Sequence, residues 1–139
     1  MIARTDNIEL INRIANSEAV RPFIRPDGEA LDFSPLEGKR VGETGVVVLT
    51  NGEDAIGLFE ITADKIYQAH TLFAATCRGR KAIDTAREML AWMFDHNVEI
   101  VWGSTPRSNR KAVMFNRLVG AQVIGGDDED LIFEYRKAA

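Results

Sequence analysis

Three strand-like runs follow one another between residues 45 and 74, and their short connections constrain the fold more than any other feature. Asn51-Gly52, between the first two runs, is a strong signal for a tight hairpin turn, and Ala63-Asp64 marks the second turn. Because short turns join antiparallel neighbours, we predict three antiparallel strands. The runs are GVVVLTN (45 to 51), AIGLFEIT (55 to 62) and KIYQAHTLFA (65 to 74).

Amphipathic helices and further strands are predicted after these runs. The segment from 98 to 104, VEIVWGS, is predicted as a strand, Pro106 as the start of a second helix, and Gly120 as its end. AQVIG and DLIFEYR are predicted as the last two strands, on either side of an acidic turn. The helix predicted at 80 to 96 carries an apolar stripe at helical spacing, formed by Ala82, Ile83, Ala86, Met89, Leu90, Met93 and Phe94.

The N-terminal part is predicted to be helical and to lead into a long connection. Isoleucines recur at helical spacing from residue 8 to 14, with Thr5 or Asp6 as the N-cap, and Ser17 is suited to begin a second short helix. Prolines and turn residues between 25 and 43 predict a long irregular connection, which is either a flap over a site or a surface loop.

The predicted order is helices, three antiparallel strands, helix, strand, helix and two strands. This order is typical of a mixed α/β (α+β) fold, in which a mostly antiparallel sheet carries helices on both faces. A length of 139 residues suits one domain, so we expect residues 1 to 139 to form a single domain around one apolar core.

Composition excludes several classes of protein. A net charge of −4 argues against a general nucleic-acid-binding surface, which needs a basic excess. No apolar run approaches the ~20 residues of a membrane span and no signal peptide is recognisable, so we expect a cytoplasmic protein without a membrane partner. Cys77 is the one cysteine, which excludes an intrachain disulfide, and with two histidines it supplies poor zinc ligands, so no metal is expected.

Cations are concentrated where the third strand gives way to the long helix. Arg78, Arg80 and Lys81 surround Gly79 at this point. The first N–H groups of a helix lack internal partners and lie at the positive end of its dipole, so they form an anion site. Glycine allows close backbone approach, and flanking guanidiniums suit a diphosphate. A solvated turn is the alternative, and the loop alone leaves both interpretations open.

Two segments resemble the GNAT superfamily of N-acetyltransferases. RGRKAI (78 to 83) followed by a long helix is similar to the superfamily's pyrophosphate loop, Arg/Gln-x-x-Gly-x-Gly/Ala. NRKAVMFNRLVGA matches its pattern Asn-x-x-Ala-x-x-Tyr-x-x-x-x-Gly through Asn109, Ala112, Phe115 and Gly120. YQAHTLF, ahead of the loop, resembles the small phage-borne members.

The match departs from the superfamily pattern at two places. Lys81 stands where the loop has its central glycine, so its side chain has to turn away from a bound cofactor. Ile83 stands at the last small residue, which a shift of one residue assigns to Ala82 instead. Phe115 replaces the tyrosine that protonates the departing thiolate in many members.

The resemblance implies acetyl-CoA as the cofactor and direct transfer of the acetyl group to an amine. The strand holding His70 and the strand at 98 to 104 would separate, and pantetheine would lie in the gap and pair with backbone near Leu72 to Ala74. An N–H from the strand holding His70 would polarise the acetyl carbonyl. The cofactor-binding residues implied are Leu72, Phe73, Ala74, Arg78, Gly79, Arg80, Lys81, Ala82, Asn109 and Phe115.

Four residues are candidates for proton transfer or polar contact at the reacting centre. His70 can exchange a proton near neutral pH, and Glu60 on the neighbouring strand can take the same role through water. Tyr67 is a candidate acid, and Ser104 lies at a strand end that should face the cleft. Each also suits an ordinary structural role. Cys77 has no His/Asp pair placed to activate it, and direct transfer needs no nucleophile.

The sequence thus predicts an acetyl-CoA-dependent N-acetyltransferase that acts on a small-molecule or protein amine. The alternative is a catalytically silent binding or interaction protein that kept the fold. A nucleic-acid module built on the basic patch is disfavoured by the net charge. Homodimer formation is left open.

Overall fold

A computed structural model describes residues 1–20 and 45–138, so the long connection predicted at 25 to 43 lies outside the described residues. Every helix within the described ranges is too short or too polar to span a bilayer. The elements are β1 (Ala3–Arg4), α1 (Ile8–Ala15), β2 (Val46–Thr50), β3 (Ala55–Ala63), β4 (Ile66–Phe73), α2 (Arg80–Asp95), β5 (Ile100–Pro106), α3 (Arg110–Val119), β6 (Gln122–Gly126) and β7 (Asp130–Arg136).

The described strands form one seven-stranded sheet in the order β1-β2-β3-β4-β5-β7-β6. Neighbouring strands are antiparallel except β4 and β5, which run parallel. The parallel pair exists because α2 carries the chain back before β5 begins. The predicted mixed, mostly antiparallel sheet is confirmed. Strand β1 was not predicted, since two residues are too few to show a periodic pattern.

The two faces of the sheet carry separate apolar clusters. On the α1 face, Val48, Ile56 and Leu72 pack against buried isoleucines of α1. On the opposite face, the α2 face, residues of five strands pack against α2 and α3. Helices therefore cover both faces, as predicted. The fully buried side chains of the α2-face cluster include Leu49, Phe59, Met89, Met93 and Val101.

The predicted hairpin at Asn51-Gly52 joins β2 to β3, and one side chain organises its turn. Asn51 Oδ1 accepts hydrogen bonds from the backbone N–H groups of Glu53, Asp54 and Ala55, at 3.0, 3.0 and 3.2 Å. Gly52 has φ +83°, a conformation that glycine adopts without steric cost. The turn is therefore determined by local sequence.

Two helix starts differ from prediction. Asn7, rather than Thr5 or Asp6, is the N-cap of α1, because its side chain accepts a hydrogen bond from the third N–H of the helix. Ser17 lies in a bend, where its Oγ donates to a carbonyl at the end of α1, and no helix begins there.

Pro106 was predicted to begin the helix that follows β5, and this prediction is wrong. Pro106 is the last residue of β5, paired with Asp130 of β7. The helix, α3, begins at Arg110 with Asn109 as its N-cap, since Asn109 Oδ1 accepts from Ala112 N at 3.2 Å. Pro106 lacks an N–H, which is tolerated at the end of a strand. The predicted helix end at Gly120 is confirmed.

A partly buried ion pair, between the buried carboxylate of Asp54 and the exposed Lys81, joins the β2–β3 turn to the first turn of α2. Asp54 is 3% exposed, and its carboxylate accepts hydrogen bonds from Asn51 Nδ2 at 2.8 Å, Thr76 Oγ1 at 2.7 Å and Lys81 Nζ at 2.7 Å. Burial alone raises the pKa of this carboxyl, but the hydrogen bonds from Lys81, Asn51 and Thr76 outweigh burial and lower the pKa from 3.8 to about 2.

This ion pair predicts that the free energy of unfolding depends on pH in the acid range. The carboxyl of Asp54 regains its ordinary pKa on unfolding, so its contribution is complete above pH 3.8 and is lost as the pH falls towards 2. A pKa shift of this size corresponds to roughly 2 kcal/mol in the free energy of unfolding. Urea unfolding of the wild type and Asp54→Asn should differ most near neutral pH, and the difference should shrink on acidification. A difference independent of pH would contradict this assignment.

Candidate functional site

The pairing between β4 and β5 stops halfway along the two strands. Their parallel ladder consists of Ile66–Ile100, Tyr67–Val101 and Gln68–Trp102, although β4 continues to Phe73 and β5 to Pro106. Beyond the ladder, β4 stays paired with β3 and β5 stays paired with β7. The sheet therefore opens a gap between the carboxyl-terminal halves of β4 and β5.

Backbone groups of Thr71 and Phe73 point into this gap. The N–H of Ala74 donates to the C=O of Asp54 at 2.9 Å, on the β3 side, whereas the C=O of Ala69 faces Gly103 of β5. Because backbone groups of successive strand residues point to opposite sides, residues 71 and 73 face the gap as residue 69 does. No partner for them is found in the described part of the chain.

This alternation corrects the residues expected to pair with pantetheine. Leu72 directs its backbone groups towards β3 and its side chain into the α1-face cluster, and the N–H of Ala74 is already bound to Asp54. Of the predicted residues 72 to 74, only Phe73 has backbone groups that face the gap, and Thr71 joins it.

The N-terminus of α2 lies directly after the end of β4 and has no side-chain cap. Gly79 is its N-cap residue, with φ +59° and no capping side chain, whereas α1 and α3 are capped by asparagines. The C=O of Gly79 accepts from Ile83. For the N–H groups of Arg80, Lys81 and Ala82, no acceptor exists among residues 1–20 and 45–138. These donors meet the first requirement of the predicted anion site.

The three cations of the loop differ in their surroundings. Arg80 is largely exposed, and its Nε lies 3.8 Å from Asp84 one helical turn later. Arg78 reaches across to the C=O of Ala19 at 3.5 Å. The Lys81 side chain instead turns back to Asp54, and this hydrogen bond raises the pKa of its ammonium. Arg78 and Arg80 therefore supply the positive charge at the front of the loop, and Lys81 does not.

The structure brings together two of the predicted proton-transfer residues. His70 Nε2 lies 3.1 Å from Glu60 Oε1, and the two side chains are 43% and 55% exposed. Both belong to the α1 face, because His70 alternates with Leu72 and Glu60 with Ile56 along their strands. Ser104 lies on the same face of β5, across the gap, and is exposed.

Tyr67 is separated from these residues. Its side chain is 8% exposed and belongs to the α2-face cluster, since it is an odd number of positions from His70 along β4. Tyr67, the candidate acid, is therefore a core residue on the face of the sheet opposite His70, away from the proposed reacting centre.

Residues of α3 close the α2-face side of the gap. The ring of Phe115 packs edge-to-face on Phe73, with 5.5 Å between ring centroids. Asn109 uses its Oδ1 to cap α3, so its side-chain Nδ2 is the polar atom that remains for a ligand contact. Asn109 is the N-cap of α3 and Phe115 lies within it. Of the two, Phe115 contacts the end of β4.

Trp102 borders the gap and was not among the candidate site residues predicted from the sequence. It forms the last rung of the β4–β5 ladder, on the α1 face, and is only half-buried. Its indole N–H donates to Thr62 Oγ1 at 3.0 Å. The two-residue spacing from Ser104 was the available signal, since residues i and i+2 share a face of a strand.

Cys77 lies inside the protein beneath the loop and is fully buried. Burial, followed by the nearby Asp54 carboxylate, raises the pKa of its thiol, which opposes formation of a nucleophilic thiolate. Within the described ranges, histidine, cysteine and carboxylate side chains form no group of three suited to a metal ion. The chemistry available to the site is therefore backbone donors, guanidiniums and the His70–Glu60 pair.

Comparisons with solved structures give matches across nearly the whole chain, at low sequence identity. A GNAT-family acetyltransferase from Streptococcus pneumoniae has a TM-score of 0.72 and 12% identity, covering 99% of both chains. Campylobacter jejuni N-acetyltransferase PseH, in complex with acetyl coenzyme A, has a TM-score of 0.68 and 11% identity, covering 99% of this chain and 100% of its own.

A putative acetyltransferase from Salmonella typhimurium, yncA with its cofactor acetyl-CoA, has a TM-score of 0.66 and 14% identity, covering 98% of this chain and 92% of its own. No protein-family model matches the chain, and no curated protein sequence does so either. Sequence identities this low carry information about architecture alone. The chain has the fold of the GNAT-family acetyltransferases.

Proposed function

We propose that this protein is an N-acetyltransferase of the GNAT superfamily, which transfers an acetyl group from acetyl-CoA to a primary amine. One observation carries the proposal: the unpaired halves of β4 and β5 lie immediately before the uncapped N-terminus of α2. Backbone groups that can bind the amide-bearing arm of a ligand are thus followed directly, along the polypeptide, by backbone N–H groups that can bind a diphosphate. Two of the similar structures contain acetyl-CoA, which supports this ligand.

The diphosphate is assigned to the front of α2. The N–H groups of Arg80, Lys81 and Ala82, which have no acceptor in the described part of the chain, lie at the front of the helix, where the helix dipole favours an anion. The guanidiniums of Arg78 and Arg80 add charge that screens the phosphates, and Gly79 presents no side chain in front of the amides. The Asn109 amide is placed as a further cofactor contact.

The pantetheine arm is assigned to the gap beside Thr71 and Phe73. Its amides match the unpaired N–H and C=O groups of these residues, as an added strand would. Phe115 and Phe73 supply an apolar wall on the α2 face. The residues therefore fit both the polar and the apolar parts of this ligand.

Acetyl-CoA supplies an activated acetyl group, whose transfer forms an N–C bond and breaks a C–S bond. A backbone N–H of β4 in the gap donates to the acetyl carbonyl oxygen and stabilises the negative charge that develops on it. The His70–Glu60 pair takes the proton that the amine loses, directly or through one water. Phe115 offers no proton to the leaving sulfur, so water is assigned that role.

The amine is assigned to the α1 face of the sheet. On the α2 face, the gap is bordered by Phe73, Phe115 and the rest of the apolar cluster, with the side chain of Thr71 exposed beside them. On the α1 face, His70 and Glu60 stand on one side of the gap and Ser104 and Trp102 on the other, all at least partly exposed. An amine that enters from this side reaches the proton acceptors first.

Finer assignments rest on the sequence alone. The likeness of YQAHTLF to small phage-borne members, the cytoplasmic location and the homodimer remain predictions. Small-molecule and protein amines are both retained as acceptors.

Calorimetry with coenzyme A and acetyl-CoA tests the proposal. We expect saturable binding of both, followed by release of free thiol from acetyl-CoA in the presence of a panel of primary amines. Absence of binding would overturn the proposal. Binding without turnover across the panel would favour the silent binding protein instead.

The double substitution Arg78→Glu with Arg80→Glu should weaken acetyl-CoA binding at least tenfold, about 1.4 kcal/mol or more. The reason is that two carboxylates would replace the guanidiniums at the front of the α2 amides. Lys65→Glu with Lys137→Glu makes the same change of net charge at the opposite end of the sheet and should leave the affinity within twofold of the wild type. Equal affinities for both variants, measured by calorimetry, would remove the loop from the site.

The substitution His70→Ala should lower kcat by about tenfold or more and leave the affinity for acetyl-CoA nearly unchanged. The imidazole contacts Glu60 on the α1 face and lies away from the loop that is assigned to the diphosphate. The matched control is His96→Ala, since His96 stacks on Trp92 at the end of α2 with 3.7 Å between centroids. A fully active His70→Ala enzyme would transfer the role to Glu60 or to water.

A further inference from the structure

We propose that Asp54 is a positioning residue for the diphosphate loop, residues 74 to 81, and that it acts by holding this loop at three points. The inference rests on the proposed function, since it concerns how the same site keeps its amides available. Asp54 lies in the β2–β3 turn, outside the loop, and makes no contact with the assigned ligand.

The three points are spread along the loop. The C=O of Asp54 accepts from the N–H of Ala74 at 2.9 Å, where β4 ends. Its carboxylate accepts from Thr76 Oγ1 at 2.7 Å in the middle of the loop, and from Lys81 Nζ at 2.7 Å in the first turn of α2. One residue therefore fixes the start, the middle and the end of the segment.

Asp54 is itself held rigidly. Asn51 Nδ2 donates to the other carboxylate oxygen at 2.8 Å, and Asn51 Oδ1 binds three successive N–H groups of the turn. The side chain of Asp54 is only 4% exposed, so its carboxylate is largely shielded from water. These hydrogen bonds therefore fix the position of the loop relative to the β2–β3 hairpin.

The ion pair between Asp54 and Lys81 also sets the positions of the two charges relative to the N-terminus of α2. Lys81 follows Gly79 by two residues, and its ammonium would otherwise be free to cover the amides at the front of α2. Asp54 draws this ammonium back towards the hairpin, with Glu53 at 3.6 Å as a second partner. The ammonium in turn neutralises the buried carboxylate, which would otherwise repel a diphosphate nearby.

A donor that lacks the diphosphate separates positioning from general damage to the fold. S-acetylpantetheine carries the thioester and the pantetheine arm but no phosphate. Steady-state kinetics should show that Asp54→Asn lowers kcat/KM for acetyl-CoA at least tenfold and changes kcat/KM for S-acetylpantetheine by less than twofold. Asp54→Glu, which keeps the charge, should recover part of the loss with acetyl-CoA.

Thr50→Val is the matched control for lost stability in the same hairpin. It removes the hydrogen bond from Thr50 Oγ1 to the C=O of Ala55, at 2.8 Å, and the one from the N–H of Gly52 to Thr50 Oγ1, at 2.9 Å. It leaves the hydrogen bonds between Asp54 and the loop in place. This variant should treat the two donors alike. Should Asp54→Asn fail to fold, Thr76→Val and Lys81→Met each remove one of the three points and should show smaller losses confined to acetyl-CoA.

Each outcome decides between the two proposals. Equal losses with both donors would overturn the positioning role, and so would tighter coenzyme A binding by Asp54→Asn, which would make the freed Lys81 a ligand. If the wild-type protein and the Asp54→Asn variant bind coenzyme A equally well, the result would contradict the positioning role of Asp54 and leave the proposed function intact. A wild-type protein that binds no coenzyme A would contradict the proposed function.

Discussion

The end of the β4–β5 ladder at Gln68–Trp102 is the constraint on which the rest of the site depends. Backbone N–H and C=O groups inside a protein need partners, and a sheet normally supplies them on both sides of a central strand. Among the described residues, each strand keeps only its antiparallel neighbour beyond this point. The backbone groups of Thr71 and Phe73, in the middle of the sheet, therefore have no partner in the described part of the chain.

Packing on the two faces of the sheet then gives the gap a direction. Aromatic and aliphatic side chains fill the α2 face beside α2 and α3, whereas the α1 face beyond α1 presents His70, Glu60, Trp102 and Ser104. A ligand chain in the gap would have a dry wall on one side and titratable groups on the other. In the proposed reaction, proton transfer would take place on the α1 face, where the side chains of His70 and Glu60 are exposed.

Local signals predicted most of the framework. Asn51-Gly52 specified the hairpin, the apolar stripe specified α2, and Gly120 ended α3, because each depends on contacts within a few residues. One prediction was wrong where a long-range contact overrode a local signal. Pro106 is suitable for a helix start, yet pairing with β7 keeps it in β5 and leaves the cap to Asn109.

The sequence by itself determined the order of elements from β2 to β7 and placed Arg78, Gly79 and Arg80 at a strand-to-helix junction, since periodicity and turn chemistry act over short separations. Only the tertiary structure decided that β4 and β5 part after three paired positions, and that Lys81 turns to Asp54 rather than to the loop. The physical reason is distance along the chain. Asp54 lies 27 residues from Lys81, so their contact exists only once the hairpin and the helix have packed together.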